Sequence, residues 1–409
     1  MYQALAIAIL SIGLLFLGLV TWILANKTWR ESREAYVRMR SRDLEPAVLR
    51  YAHGEGRSLM AVMGDVPRRR DRPVLLALLL EQVQRVKGIE HERLSRALDE
   101  LGLLAEMTAD LRHRRWWRRA KAAEHLGLAG ARGAVEALTV AFRDPSVDVR
   151  MRAAKSLGAL GGSASIRALV GTLNEPDRWS TIRIADILAG MGPPVVGELL
   201  GAFPRLSKAG KLATLDILGR VRPFDRRDWL EACARDADAD VRARSCRALG
   251  RIGDPAAVPV LVTALGDPAW PVRAMAAKAL GWIGSTAAVE PLSGALRDAE
   301  WWVRSNAAHA LRAGGEAGVR ALERMLDDGD VYARHQAILM LEESGVVDRN
   351  ASDLTLEDPG RRSEALSFVQ RLIESGQLQR LRALAAEHPD RTVREQLRSL
   401  LPGLGPESA

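Results

Sequence analysis

One spacing dominates the 409-residue sequence: a leucine recurs at intervals of 31, 31, 30, 31, 31, 31 and 30 residues from Leu126 to Leu341. The best copies read Val-Arg-x-x-Ala-Ala-x-x-Leu-Gly, as at Val149–Gly158 and Val272–Gly281. Apolar side chains at this spacing predict an amphipathic helix, and a second apolar helix follows, such as Ala256–Leu265. Because one helix pair cannot bury its own apolar face, the period predicts a stack of helix pairs.

The repeat predicts an all-α protein whose main body is an α-solenoid, a right-handed superhelix of about 8–10 helix pairs. We expect the array over residues 112–345, with an N-terminal helical pair at 73–111 capping it. Residues 346–401 predict degenerate C-terminal capping repeats, and 402–409 a tail. In each unit the glycine after the leucine is expected to end the first helix.

The N-terminus predicts a membrane anchor. Residues 1–26 carry no charged side chain, and the apolar run Ala4–Ala25 would form a helix of about 33 Å, enough to span a bilayer core. Basic residues follow at once, so the positive-inside rule places the bulk of the chain in the cytoplasm. We therefore expect a transmembrane anchor at 1–26, a basic juxtamembrane linker or helix at 27–72, and single-pass localisation in the inner membrane. A cleaved signal peptide is disfavoured, because its start would be basic and its apolar run shorter.

The motif Val272-Arg273…Ala276-Ala277…Leu280-Gly281 resembles the HEAT-repeat family, particularly the short bacterial form also found in phycobilisome lyases. The resemblance covers roughly residues 115–345. An N-terminal apolar segment followed by a first repeat rich in Arg and Trp is similar to bacterial membrane-anchored HEAT proteins. The resemblance implies a scaffold without an enzymatic activity that can be transferred to this chain.

An acidic residue precedes an arginine by six positions in five of the units. A row of such pairs could bind an anionic ligand, but the HEAT resemblance implies a structural ladder that links one unit to the next through charge-assisted hydrogen bonds. We favour the structural interpretation. The ladder pairs are Asp144 and Arg150, Asp236 and Arg242, Asp267 and Arg273, Asp298 and Arg304, and Asp328 and Arg334.

Aromatic residues recur two and three positions before the ladder arginine or its equivalent. They either pack over the turn of the preceding unit or form an exposed ridge that binds a partner. Both interpretations stay open, although two adjacent tryptophans at a helix start cannot both point inward. This aromatic ridge comprises Trp116, Trp117, Trp179, Trp270, Trp301, Trp302 and Tyr332.

A basic patch surrounds the first tryptophan pair and consists of Arg112, Arg114, Arg115, Arg118 and Arg119. Basic charge interleaved with tryptophan can bind nucleic acid or anionic lipid. Nucleic acid is disfavoured because the net charge of +8 is modest for this length and no base-reading motif occurs. Proximity to the predicted anchor favours anionic lipid or a membrane protein.

The sequence offers no catalytic, cofactor-binding or metal-binding set. The seven histidines lack metal-ligand spacing, and only His91-Glu92 has the order used by a HEAT-type iron hydroxylase, outside the repeats. Cys233 and Cys246 are expected in the core. We therefore predict a non-enzymatic membrane-anchored cytoplasmic scaffold that binds another protein, for example a membrane-associated enzyme, with no small-molecule substrate. The alternatives are a HEAT-like bilin lyase or other HEAT-fold enzyme, and a nucleic-acid binder with a basic face.

Overall fold

The computed structural model describes residues 2–64, 67–174 and 178–402, without the side chains of 2–14 and 178–180. Every regular element in these residues is a helix. The chain divides into two compact units, Met1–Leu169 (unit 1) and Val170–Ala409 (unit 2). Most of the predicted tail, from residue 403 on, lies outside the described residues.

Unit 1 begins with one long helix and continues with shorter ones, the last of which contains the division between the units. Its helices are α1 Tyr2–Ala52, α2 Leu59–Met63, α3 Arg72–Arg85, α4 Ile89–Glu100, α5 Leu103–Asp110, α6 Trp116–Leu128, α7 Val135–Ala141, α8 Val147–Leu160 and α9 Gly162–Gly171.

Unit 2 alternates longer and shorter helices, several of them joined by a single 3-10 turn. Its helices are α10 Arg178–Gly190, α11 Val195–Ala202, α12 Lys208–Val221, α13 Arg227–Cys233, α14 Ala239–Ile252, α15 Val258–Ala264, α16 Trp270–Ile283, α17 Val289–Ala295, α18 Trp301–Ala313, α19 Gly315–Arg324, α20 Val331–Glu343, α21 Val346–Asp353, α22 Pro359–Glu374, α23 Gln379–Glu387 and α24 Arg391–Leu400.

The predicted transmembrane anchor needs correction. Among the residues searched, which are those the structure describes, no helix combines the length and the apolar composition that a membrane crossing requires. In α1 the side chains are described from residue 15, and residues 15–26, before the first charge at Lys27, make about 18 Å of helix against a hydrocarbon core of about 30 Å. The side chains of residues 4–14 lie outside the description. The expected single-pass localisation in the inner membrane is therefore wrong.

The first part of the chain forms one continuous helix, which includes the first half of the segment predicted as a juxtamembrane linker or helix. α1 runs 51 residues without a break at residue 26, and its C-terminal part packs against α2, α3 and α4. The buried carboxylate of Asp71, just before α3, accepts hydrogen bonds from Tyr36 Oη (2.6 Å) and from Arg40 Nε and Nη2 (3.0 and 2.8 Å). This cluster fixes the C-terminal part of α1 to the rest of unit 1.

The helices that carry the repeat leucine, called here the repeat helices, stack side by side within each unit. They are α6 and α8 in unit 1, and α10, α12, α14, α16, α18 and α20 in unit 2.

The glycine after the repeat leucine does not end its helix, contrary to the sequence expectation. α16 continues past Gly281 to Ile283, and Gly284, with φ +70°, follows the helix in the left-handed conformation that glycine adopts without strain. A Cβ at Gly281 would lie 2.8 Å from Cβ and 2.9 Å from Cα of Ala310 on α18. Glycine at this position therefore permits the close approach of neighbouring repeat helices.

Candidate interaction surface

Each ladder arginine first closes its own turn. Arg273 Nη1 donates to the carbonyl oxygens of Asp267 (2.9 Å) and Pro268 (3.3 Å), six and five residues earlier. Within a repeat the acceptor is the backbone carbonyl of the acidic residue six positions earlier. The carboxylate of that residue therefore remains available to pair with another arginine. The same contact recurs at Arg119, Arg150, Arg242, Arg304, Arg334, Arg362 and Arg394.

The remaining edge of the guanidinium reaches the aspartate of the next repeat, 25 residues later. Arg273 Nε and Nη2 donate to the two carboxylate oxygens of Asp298 at 2.6 and 2.8 Å. Arg242 makes the same bidentate contact with Asp267, and in unit 1 Arg119 makes it with Asp144. Planar bidentate pairs of this kind are both strong and directional, so the ladder holds successive repeats in register.

The ladder aspartates also hydrogen-bond within the turns that precede the repeat helices. Asp267 Oδ1 accepts the N–H of Ala269, the residue just before α16, at 2.9 Å. The hydrogen bonds from Arg242 hold the pKa of Asp267 below its ordinary value, although burial opposes the shift, and the backbone N–H lowers it further. The carboxylate of Asp267 is therefore ionised at neutral pH and is occupied by partners within the chain.

The pairing between repeats is not the same along the described chain. The last interval of the repeat is 30 residues, so Asp328 lies 24 residues after Arg304; Asp328 pairs with Arg297 instead. Buried Arg304 keeps no hydrogen-bond partner at Nε, and its guanidinium lies 4.8 Å from the Tyr332 ring centroid. Between α12 and α14, Lys208 contacts Asp238 (2.8 Å) and Asp240 (2.6 Å), where the sequence offers no ladder pair.

The Arg273→Ala variant should lower the free energy of unfolding by about 2 kcal/mol, because it removes a charge-assisted pair from a mostly buried site and leaves Asp298 without its cation. Urea unfolding followed by circular dichroism measures this change. Arg320→Ala is the matched control, since Arg320 pairs with Glu316 on an exposed helix face and should change stability by less than about 0.5 kcal/mol. Equal effects of the two substitutions would contradict a structural ladder.

In unit 2 the described members of the aromatic ridge are exposed. Trp270, Trp301, Trp302 and Tyr332 retain 41, 49, 56 and 66% of their accessible surface. The two rings of the doublet, Trp301 and Trp302, contact each other edge to face, with centroids 4.7 Å apart. Trp179 belongs to α10, but its side chain lies outside the described residues.

In unit 1 the ridge and the basic patch lie together at the start of α6. Trp116 and Trp117 are half-exposed, and the Arg115 guanidinium lies 5.8 Å from the Trp117 ring centroid. Arg118 donates to Asp110 at 3.3 Å, while Arg119 is a largely buried ladder member. Arg112 and Arg114 are exposed.

Unit 2 also contains a groove that the sequence reasoning missed. It lies between α16 and α18 and has a volume of 340 Å³. Half-exposed Trp282 and Trp302 contribute its largest side chains, and Lys278, Ser305, Asn306 and His309 contribute polar groups. The sequence did contain a signal for this groove. Trp282 lies two residues after a repeat leucine, a position that is occupied by Arg220 and Arg251 in the two preceding repeats.

The residues with nucleophilic or metal-binding chemistry do not converge. Cys233 and Cys246 are buried, and burial raises the pKa of each thiol to about 12, so neither is a thiolate at neutral pH. Within the described parts of the chain, no three His, Cys, Asp or Glu side chains group in a way that could hold a metal ion.

Comparison with known proteins identifies the repeat. Residues 104–189 and 227–312 match the family model of HEAT repeats. No curated protein matches the chain.

Solved structures of several helical-repeat proteins are similar. The complex of CpcE and CpcF of phycocyanin lyase from Nostoc sp. PCC7120 is 22% identical, with 59% of this chain and 94% of that chain covered and a TM-score of 0.28. A designed armadillo repeat protein in complex with the peptide (KR)4 is 18% identical, covering 43% and 98%, with a TM-score of 0.30. Kap121p bound to Pho4p is 12% identical, covering 85% and 47%, with a TM-score of 0.43.

The period, the stacked repeat helices and the two matched segments agree on the architecture. The described residues form an all-helical HEAT-type solenoid fold, and residues 104–189 and 227–312 are the segments that match HEAT repeats.

Proposed function

We propose that this protein is a scaffold that binds another protein through the part of the aromatic ridge in unit 2. One observation carries the proposal: four aromatic rings at the starts of three successive repeat helices, α16, α18 and α20, stay between 41 and 66% exposed. Tryptophan and tyrosine are enriched among the residues that dominate binding energy at protein interfaces, because they bury a large area with few rotatable bonds.

The geometry of the doublet supports binding rather than internal packing. Trp301 and Trp302 order each other through their edge-to-face contact, so a partner would meet a rigid surface and little side-chain entropy would be lost on binding. Rings that served only to pack one repeat against the next would be buried between the repeats. Tyr332 has a second role, since it covers the guanidinium of Arg304, and it is therefore a poor choice for a test.

A photo-crosslinking amino acid at position 302 of the full chain should capture the partner from a lysate of the source organism, and mass spectrometry would identify it. With that partner purified, Trp302→Ser should weaken binding at least about 30-fold, which corresponds to a hot-spot residue of about 2 kcal/mol. The melting temperature should change by less than about 2 °C, because a half-exposed ring contributes little to packing.

The matched control is Phe224→Ser, which removes an exposed aromatic ring outside the ridge and should leave the affinity unchanged. The proposal fails if Trp302→Ser binds the captured partner as tightly as the unchanged chain. It also fails if the variant melts much earlier while still binding, because the ring would then be a packing element.

A further inference from the structure

A cluster of cations in unit 2 exceeds its carboxylate partners. Asp186 pairs with Arg220, and Asp216 pairs with both Arg244 and Arg247. Within the described residues, Arg222, Arg251 and Lys278 have no carboxylate partner. The cluster therefore comprises six cations and two carboxylates on the repeat helices α10 to α16 and the residue after α12.

The excess charge is concentrated around Arg251. This side chain is half-buried, and its pKa lies below the ordinary arginine value because burial and the neighbouring Arg247, Arg220 and Arg222 disfavour its charge, against the one carboxylate of Asp216. Like charges held this close repel one another, and a bound anion would relieve the repulsion.

The cation cluster borders the α16–α18 groove near Gly250, the residue before Arg251, because a Cβ there would lie 3.0 Å from the ring of Trp282, which lines the groove. Lys278 lines the groove, and its ammonium lies 5.6 Å from the Trp282 ring centroid. Gly281 and Ala310 bring the two helices close together at the base, and Asn306 Nδ2 donates to the carbonyl of Ala274 at 2.9 Å across the interface. The two half-exposed tryptophans, Trp282 and Trp302, stand above this base. The groove thus presents apolar surface next to a basic end.

We propose that this surface binds an acidic peptide segment of a partner protein, with one apolar side chain in the α16–α18 groove and carboxylates against Arg222, Arg251 and Lys278. The inference rests on the proposed function and names the chemistry of its partner. Charge complementarity carries the choice of occupant, because Lys278 lines the aromatic groove and Arg251 follows Gly250, whose backbone lies against Trp282. The volume of 340 Å³ is near the lower limit for a ligand pocket and suits a single large side chain.

The observations favour a peptide over single-stranded nucleic acid. A nucleic-acid track needs basic charge along several nucleotides, with aromatic rings on which successive bases stack. Here Asp186 and Asp216 interrupt the cations at one end of the cluster. On the other side, the α18 residues in the groove supply only neutral amide and hydroxyl groups besides His309.

The test measures fluorescence anisotropy of the full chain with a labelled peptide, Asp-Glu-Asp-Glu-Leu-Phe-Gly-Ser, and with the same composition in reverse order. At about 50 mM salt, at least one of the two should bind about tenfold or more tighter than a version with Lys at the acidic positions. Replacing Leu and Phe by Ser in the peptide should lower its affinity by a similar factor. An oligothymidylate of about 12 nucleotides should bind more weakly than the acidic peptide.

Variants locate the binding site. Two substitutions in the groove, Lys278→Glu at an exposed position and Trp282→Ala, should each weaken binding of the acidic peptide about tenfold. Arg320→Glu reverses a charge on an exposed helix face away from the groove and should leave the affinity unchanged. Lys278→Glu keeps the test decisive if Trp282→Ala fails to fold. Equal binding of the acidic and the Lys probes, no effect of Lys278→Glu, or tighter binding of the oligonucleotide would each overturn the inference. The scaffold proposal would still stand if Trp302→Ser released the captured partner.

Discussion

In the Asp71→Asn variant the free energy of unfolding at neutral pH is expected to fall by about 3 kcal/mol. The carboxylate of Asp71 is fully buried and accepts four hydrogen bonds, one from Tyr36, two from Arg40 and one from the backbone N–H of Arg68. An amide keeps the shape but removes the charge, so the Arg40 guanidinium would lose its buried counter-ion and keep only the half-exposed carboxylate of Asp43 at 3.4 Å. Breaking one partner of such a buried pair typically costs about 3–5 kcal/mol.

The same substitution predicts a definite pH dependence. Hydrogen bonds from Arg40 lower the pKa of Asp71 to about 2, although burial opposes the shift. In the unfolded chain an aspartate has a pKa of about 4, so folding favours the ionised form. The stabilisation is therefore complete above pH about 4 and is lost as the pH falls towards 2. Urea unfolding at several pH values should show the gap between the unchanged chain and Asp71→Asn closing over this interval.

Asp43→Asn is the control for this prediction. Asp43 contacts the same Arg40 at 3.4 Å, but its side chain is half-exposed, and removing its charge should change stability by less than about 0.5 kcal/mol. Two results would show that burial of the carboxylate does not determine the loss of stability. One is a difference in unfolding free energy between the unchanged chain and Asp71→Asn that does not vary with pH. The other is a loss of unfolding free energy in Asp43→Asn as large as in Asp71→Asn.

The periodicity of the sequence was sufficient to predict the repeat helices, because the same positions are buried in every copy. Leu157, Leu249, Leu280 and Leu311, for example, are all at most 1% exposed. The role of the glycine after the leucine could not be predicted in the same way. The segment Leu280–Gly284 contains two glycines, and only the position of α18 shows that Gly281 permits close packing while Gly284 follows the helix end.

The partners of the ladder arginines also depend on the stack. The six-residue spacing between aspartate and arginine is visible in the sequence, but the carboxylates that Arg119, Arg242 and Arg273 bind belong to the next repeat. The exception at Arg304 follows from the 30-residue interval, which the sequence does contain. Trp282 was missed because the aromatic pattern was counted only from the arginine. The membrane anchor was predicted from one apolar run, and hydropathy alone says nothing of the tertiary contacts made by the rest of α1.

Gly250→Ala is expected to lower the free energy of unfolding by about 3 kcal/mol. A Cβ at this position would lie 2.6 Å from both Cα and Cβ of Ala279 and 3.0 Å from the Trp282 ring, so the backbone of α14 or α16 would have to move. Overpacking of this kind costs typically about 1–3 kcal/mol or more, and the better helix propensity of alanine recovers only about 1 kcal/mol. Urea unfolding of the purified variant measures the difference.

Gly294→Ala provides a control of opposite sign. Gly294 lies in α17, where a Cβ would meet no heavy atom within 4 Å, so alanine should stabilise the chain by roughly 0.5–1 kcal/mol through helix propensity alone. Gly250→Ala should also weaken binding of the acidic peptide under conditions where the chain is still folded. The reason is that a shift of α16 would displace Trp282 and Lys278, which line the groove. If Gly250→Ala stabilised the chain as Gly294→Ala does, the repeat helices would not approach each other closely at the glycine after the repeat leucine. The close packing at Gly281 that forms the base of the α16–α18 groove would then also be in error.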